Sequence, residues 1–265
     1  MTEPGGASSR AVASASRRPA LAPSAASASP TGLSVPHILI VCTGNICRSP
    51  LAEQVLRARL LAAGSGVTVA SAGTQAVVGG AMTPEAAALA LKLGSASTVH
   101  TPRQLTADML AQADLVLTAT RDHRRDVVTL FPKATRYTFT LNQFARLVDA
   151  AAESAALAAS PSAPSTSAPG PGPETGPTID HGPGSVTWAR AADAPAAQPA
   201  ASAFAAFVAS IAATRGLQPS PTPPTRDDID DPYRQNASVY SRVAAIIDDS
   251  VTTVAAAIST ALAAR

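Results

Sequence analysis

Cys42 and Arg48 are the two residues whose types and spacing most clearly suggest chemistry. They begin and end the loop CTGNICR, which follows the apolar run His37–Val41 and precedes an amphipathic segment that opens at Ser49. A loop wrapped around a helix N-terminus points successive backbone N–H groups at one centre, and the helix dipole adds positive potential there. The sequence therefore predicts a cradle for a tetrahedral dianion.

The residue types in this loop suit both binding and attack. Gly44 and Asn45 tolerate the left-handed conformations that a tight cradle requires, and Ser49 is expected to cap the helix. The planar guanidinium of Arg48 can hold two phosphoryl oxygens at once. The field that attracts the anion also favours the thiolate of Cys42, which is the nucleophilic form.

The stretch CTGNICRSP, residues 42–50, resembles the signature loop of the low molecular weight protein tyrosine phosphatases. The resemblance implies that phosphate is bound by Thr43, Gly44, Asn45, Ile46, Cys47, Arg48 and Ser49. The turn SAGT at Ser71 and the histidine His100 resemble further family features. They imply a hydrogen-bond network that steadies the loop and the thiolate, formed by Asn45, Ser49, Ser71 and His100.

The leaving phenol oxygen needs a proton donor, which a carboxylic acid above the loop can supply. The segment that begins at Asp231, DPY, resembles the family's DPYY-type loop and implies that Asp231 is the general acid and later the base that activates water. Asp230 is the alternative donor. Asp227, Asp228 and Asp230 could instead form a solvated acidic turn.

Val77 and Tyr233 are expected to line the substrate slot. Val77 replaces a tryptophan found in many family members, and Arg234 stands where tyrosine-specific members often carry a second aromatic residue. These differences leave the substrate preference open and do not affect the phosphate chemistry.

Strand-like and helix-like segments alternate from His37 to Leu147, which predicts an α/β fold. We expect a four-stranded parallel sheet with helices on both faces, and the resemblance implies the three-layer αβα arrangement of the phosphotyrosine phosphatase I-like fold. Ligands in such sheets bind beyond the carboxyl ends of the strands, where Cys42 lies. His123 and the arginines Arg121, Arg124 and Arg125 could bind an acidic partner, but we expect them to form a solvated face.

Composition divides the chain into three kinds of segment. Residues 1–35 are rich in Ala, Ser and Pro and are expected to be a disordered N-terminal extension. Residues 36–265 are expected to form one phosphatase domain, interrupted at about 159–200 by a flexible Pro/Ala/Ser-rich insertion.

Charge and cysteine usage limit the partners. The formal net charge of +2 argues against a nucleic-acid surface, and we expect no apolar run long enough to cross a bilayer and no membrane partner. Both cysteines lie in the loop, which predicts a reducing cytoplasm. Cys47 could form a reversible disulfide with Cys42 or be a small packed side chain. No metal or cofactor is required.

The predicted function is phosphomonoester hydrolysis by a protein tyrosine phosphatase of the low molecular weight type, through a cysteinyl-phosphate. The resemblance to bacterial members implies a tyrosine-phosphorylated protein substrate, such as a tyrosine kinase or a regulator of polysaccharide synthesis. One alternative is arsenate reduction on the same scaffold by Cys42 and a thiol partner. The other is a non-catalytic phosphate-binding or docking protein.

Overall fold

The computed structural model of the protein describes residues 35–97, 99–159 and 200–263. The predicted disordered extension, apart from Val35, and the predicted flexible insertion, apart from its two end residues, lie outside these ranges. Both therefore stay predictions.

Four parallel strands form one sheet, which confirms the predicted fold class. Strand β1 (His37–Cys42) pairs with β2 (Thr68–Gly73) on one side and with β3 (Leu115–Thr118) on the other, and β4 (Thr138–Thr140) pairs with β3. The spatial order is β2-β1-β3-β4. Because all strands run the same way, their carboxyl ends meet at one edge of the sheet. Cys42, the last residue of the central strand β1, lies at that edge.

Seven helices accompany the sheet in the described parts of the chain. They are α1 (Arg48–Ala62), α2 (Pro84–Lys92), α3 (Ala107–Gln112), α4 (Arg121–Leu130), α5 (Leu141–Ala159), α6 (Ala200–Ala213) and α7 (Ala237–Ala263), with 3₁₀ turns at Pro132–Arg136 and Pro224–Asp227. Hydrophobic periodicity did not predict α3, because six residues span less than two turns.

The two faces of the sheet carry separate apolar layers, as the alternation of side chains along a strand requires. Ile38 and Ile40 of β1 pack in the larger layer, which receives α1, α2, α5, α6 and α7. Leu39 and Val41 pack in the smaller layer with residues of α3 and α4. Full burial of each such side chain contributes about 1.5–3 kcal/mol. The protein is thus a three-layer α/β structure.

Helix α7 is long and apolar enough, by length and composition alone, to cross a membrane. The prediction that no apolar run is long enough to cross a bilayer was therefore wrong. In the structure α7 packs against α1, α5 and α6 and buries Val243, Ile247, Val251 and Val254. Its apolar face belongs to the core of the domain.

Candidate active site

The loop between β1 and α1, residues 42–48, is here named the nucleophile loop. Its first five carbonyl oxygens each accept a hydrogen bond from outside the loop, at 2.8–3.0 Å; the donors are the backbone N–H groups of Thr74, Gln75, Val77 and Thr83 and the ring of His100. Since the C=O and N–H groups of one peptide unit point in opposite directions, the amides of the loop turn toward the opposite side. This orients them for an anion.

Asn45 is the centre of the supporting network. Its backbone is left-handed, with φ of 55°, and its side chain is fully buried. The amide Nδ2 donates to the hydroxyls of Ser49 and Ser71 at 2.8 Å each, and Oδ1 accepts from the backbone N–H of Arg103 at 2.9 Å. His100 Nε2 lies 2.8 Å from the Asn45 carbonyl. The structure thus brings together all four residues for which a supporting role was predicted.

The Ser49 hydroxyl connects this network to the nucleophile. It accepts from Asn45, and its oxygen lies 3.0 Å from Cys42 Sγ but 3.5 Å from the Ala72 carbonyl. Its own proton is therefore available to the sulfur, which stabilises a thiolate. The predicted capping role of Ser49 was wrong, because α1 begins at Arg48 and no side chain caps it.

Glu53 is a supporting residue that sequence reasoning missed. Its buried carboxylate accepts a hydrogen bond from Ser71, forms an ion pair with Arg57 and lies 3.8 Å from His100 Nδ1. It follows Ser49 by four residues, so both occupy the same face of α1. In the sequence, an acidic residue four positions after Ser49 is the feature that could have indicated this supporting role.

Asp231 lies directly beside Arg48. The buried Arg48 guanidinium donates from Nη2 to Asp231 Oδ2 at 2.7 Å and from Nη1 to the Ile229 carbonyl at 3.1 Å, while the Asp231 side chain is 51% exposed. Asp230, the alternative donor, is 70% exposed and pairs with Arg242. Of the two acids, the structure places only Asp231 at the pocket.

Asp227 and Asp228 do not form the solvated turn that was considered for them. Asp227 is buried and pairs with Arg146 at 3.1 Å, and Asp228 is held by Arg121 at 2.8 Å. Only Asp230 fits that description.

A cavity of about 170 Å³ opens above the nucleophile loop. This volume is similar to the cavity of about 150 Å³ that admits a benzene ring in other proteins. The lining consists of Cys42, Thr43, Gly44, Ile46, Cys47, Arg48, Gln75, Val77, Asp231 and Tyr233. Val77 and Tyr233, the predicted substrate-lining residues, are both half-exposed at its rim.

His123 is buried beside the nucleophile loop, so the expected solvated face was wrong for this residue. Its Nε2 lies 2.8 Å from Thr43 Oγ1, and its Nδ1 lies 2.7 Å from Thr120 Oγ1. Burial, reinforced by the nearby positive charge of Arg48, lowers the pKa of His123 to about 4. The imidazole is therefore neutral near pH 7.

Cys47 contacts the N-terminus of α2 and helix α7. Its Sγ lies 3.5 Å from both the Thr83 and the Tyr240 hydroxyls, and burial raises the pKa of the Cys47 thiol. Burial likewise raises the pKa of Tyr240 to about 12. Both cysteines are free, so a regulatory disulfide stays a prediction.

Metal ligands do not cluster anywhere in residues 35–97, 99–159 and 200–263: no group of three or more His, Cys, Asp or Glu side chains could hold an ion.

Comparison with known proteins agrees with this geometry. Residues 37–156 match the family model of the low molecular weight phosphotyrosine protein phosphatases. The Escherichia coli K12 low molecular weight protein-tyrosine-phosphatase Etp is 39% identical over 107 residues, which cover 40% of this chain and 70% of Etp. A Bacillus subtilis protein-arginine-phosphatase is 36% identical over 107 residues, covering 40% of this chain and 71% of that protein.

Solved structures show the same fold. The arginine phosphatase YwlE from Geobacillus stearothermophilus matches with a TM-score of 0.50 and 23% identity, covering 84% of this chain and 93% of YwlE. The phosphatase from T. tengcongensis matches with a TM-score of 0.50 and 22% identity, covering 83% of this chain and 97% of that one. The solved structures show the fold, and the sequence match to Etp shows that the chain belongs to the low molecular weight protein tyrosine phosphatase family.

Proposed function

We propose that this chain hydrolyses phosphotyrosine in proteins through a cysteinyl-phosphate intermediate. One observation carries the proposal: the Arg48 guanidinium and the Asp231 carboxylate meet 2.7 Å apart in the pocket that Cys42 also lines. Nucleophile, anion receptor and proton donor thus converge on a space that fits a phosphorylated ring.

The first chemical step transfers the phosphoryl group to sulfur. The Cys42 thiolate attacks phosphorus in line, the bond to the phenol oxygen breaks, and the protonated Asp231 gives its proton to that oxygen. Arg48 and the loop amides hold the three equatorial oxygens throughout.

The second step regenerates the enzyme. The Asp231 carboxylate takes a proton from a water molecule, the water oxygen attacks phosphorus, and the S–P bond breaks. Inorganic phosphate leaves, the sulfur returns to the thiolate hydrogen-bonded by Ser49, and Asp231 is again protonated.

The walls of the pocket favour an aryl phosphate over a phosphorylated guanidinium. Ile46, Val77 and Tyr233 present apolar surface, and Asp231 is the only acidic side chain that lines the cavity in the described residues. An aromatic ring loses little by desolvation there, whereas guanidinium N–H groups would lie unpaired against Ile46 and Val77.

Paired peptides test this choice. Two peptides of the same sequence, one with phosphotyrosine and one with phosphoarginine, should differ in kcat/KM by about tenfold or more in favour of phosphotyrosine. Cys42→Ser should abolish both reactions. Equal rates, or a preference for phosphoarginine, would overturn the proposed substrate class, and turnover by Cys42→Ser would overturn the mechanism.

We further propose a tyrosine-phosphorylated protein substrate in the cytoplasm, such as a bacterial tyrosine kinase or a regulator of polysaccharide synthesis. The tyrosine phosphatases among the relatives support a phosphoprotein substrate in general. The two unpaired cysteines of the site support a reducing compartment. A panel of tyrosine phosphopeptides tests the first point, with small phosphate esters as comparators.

A further inference from the structure

The first turn of α4 contacts both loops of the site. Arg121 binds the segment 228–233, here named the acid loop because it carries Asp231, and His123 binds the nucleophile loop. We propose that Arg121 and His123 are positioning residues: Arg121 places Asp231 over the pocket, and His123 holds the nucleophile loop. The inference rests on the proposed phosphatase reaction.

Arg121 binds Asp228 through both its guanidinium and its backbone N–H. Nε lies 3.2 Å from Oδ1 and 3.1 Å from Oδ2, Nη2 donates to Oδ2 at 2.8 Å, and the Arg121 backbone N–H donates to Oδ1 at 2.8 Å. Burial opposes ionisation of the carboxyl, but the hydrogen bonds and charge of Arg121 outweigh it and lower the pKa of Asp228. A bidentate pair of this kind fixes orientation as well as distance.

The anchored residue begins the acid loop. Next to Asp228, Ile229 is buried and donates its N–H to the Ala119 carbonyl at 2.8 Å, which also ties the chain to the end of β3. Asp231 itself is half-exposed, and it accepts hydrogen bonds from Arg48 and from the N–H of Tyr233. When a phosphoryl group binds Arg48, the hydrogen bond between Arg48 and Asp231 is weakened. The anchor at Asp228 and Ile229 must then keep the acid over the leaving oxygen.

His123 acts on the other loop. Its ring bridges Thr120, the N-cap of α4, and Thr43, which follows the nucleophile directly. The Arg48 guanidinium also reaches Thr43 Oγ1, at 3.4 Å. Loss of this bridge should disturb the binding of every phosphate ester alike, because the phosphoryl group is common to all of them.

The chain offers a matched control within the same run of aspartates. Asp230 pairs with Arg242 through a single contact at 3.3 Å, and both side chains are well exposed, at 70% and 57%. Exposed pairs of this kind contribute little. Arg242→Ala removes an arginine of α7 that pairs with the same loop, without touching the anchor at Asp228.

The experiment compares kcat/KM across aryl phosphates whose leaving phenols span a wide range of pKa. A poor leaving group needs the proton from Asp231 more than a good one does. Arg121→Ala and Asp228→Asn should lower kcat/KM by about tenfold or more for phenyl phosphate and much less for p-nitrophenyl phosphate. In a plot of log kcat/KM against the pKa of the leaving phenol, Arg242→Ala should follow the wild-type line. His123→Asn should lower kcat/KM for every substrate by one common factor.

Two further variants separate positioning from folding. Arg121→Lys keeps the charge but lacks the fork, so it should restore only part of the rate for poor leaving groups. The double variant Arg121→Asp with Asp228→Arg restores the ion pair in reverse. Its kcat/KM for poor leaving groups should be higher than that of either single variant, Arg121→Asp or Asp228→Arg.

The outcomes are distinct. A wild-type enzyme without turnover would refute the proposed function itself. An active wild type, with Arg121→Ala and Asp228→Asn lines parallel to the wild-type line, would refute the role of Arg121. A His123→Asn effect that grows with leaving-group pKa would refute the division of roles between the two residues.

Discussion

Arg48 Nη2 and Asp231 Oδ2 are 2.7 Å apart, so the anion receptor and the proton donor of this site bind each other. Arg48 is 5% exposed and Asp231 is 51% exposed, and the arginine is therefore the fixed partner while the aspartate is the one able to move. An arriving dianion competes with the Asp231 carboxylate for the same guanidinium.

Removing the charge of Asp231 should therefore strengthen phosphate binding while it slows turnover. Asp231→Asn should bind inorganic phosphate about fivefold more tightly, which corresponds to about 1 kcal/mol, because an ion pair no longer has to be broken. Competitive inhibition by phosphate measures the affinity, and Asp230→Asn is the matched control that should leave it unchanged. Weaker phosphate binding by Asp231→Asn would contradict this interpretation.

Gly73 lies where β2 passes close to the nucleophile loop. A Cβ at this position would overlap the carbonyl oxygen of Thr43 and press on Asn45 and Ala76. Gly73→Ala should lower kcat/KM by about tenfold or more and cost about 1–3 kcal/mol in the free energy of unfolding, because backbone must shift. Gly216→Ala, which meets no atom within 4 Å, should change neither quantity. Equal behaviour of the two variants would argue against a tight junction.

His123 should make stability depend on pH in mildly acidic solution. Its ordinary pKa of 6.5 is lowered to about 4 in the folded protein, so the unfolded chain binds the extra proton first. The free energy of unfolding should therefore fall as pH drops from about 6.5 to about 4, by about 1–2 kcal/mol after allowance for screening. Urea unfolding at several pH values measures this slope, which His123→Gln should flatten. An unchanged slope in the variant would exclude His123 as the source.

Cys47 offers a test of redox protection. The pKa of its thiol is raised by burial, so Cys42 is the sulfur that peroxide should oxidise first, to a sulfenic acid; the Cys47 thiol could then attack that sulfur to form a disulfide and release water. Peroxide should inactivate the wild-type enzyme in a way that dithiothreitol reverses, whereas Cys47→Ser should lose activity permanently. Inactivation of the wild type that dithiothreitol cannot reverse would count against the disulfide.

The amino-acid sequence alone determined the nucleophile loop and the order of strands and helices. Cys42 and Arg48 lie within one short loop, so their relation depends on local spacing and on residue types such as Asn45 that tolerate a left-handed backbone. The alternation of apolar segments likewise predicts parallel strands, because each short strand must be covered by the helix that follows it.

Only the tertiary structure decided which groups complete the site. Asp231 is 183 positions from Arg48 and lies in a run of aspartates of similar local character; the long-range packing of the acid loop on the end of β3 sets it apart from Asp230. His123 and Arg121 look like a solvated helix face in sequence, yet the parallel sheet brings both loops to the first turn of α4. Side-chain type limits what a residue can do, but burial and partners distant in the chain determine what it does.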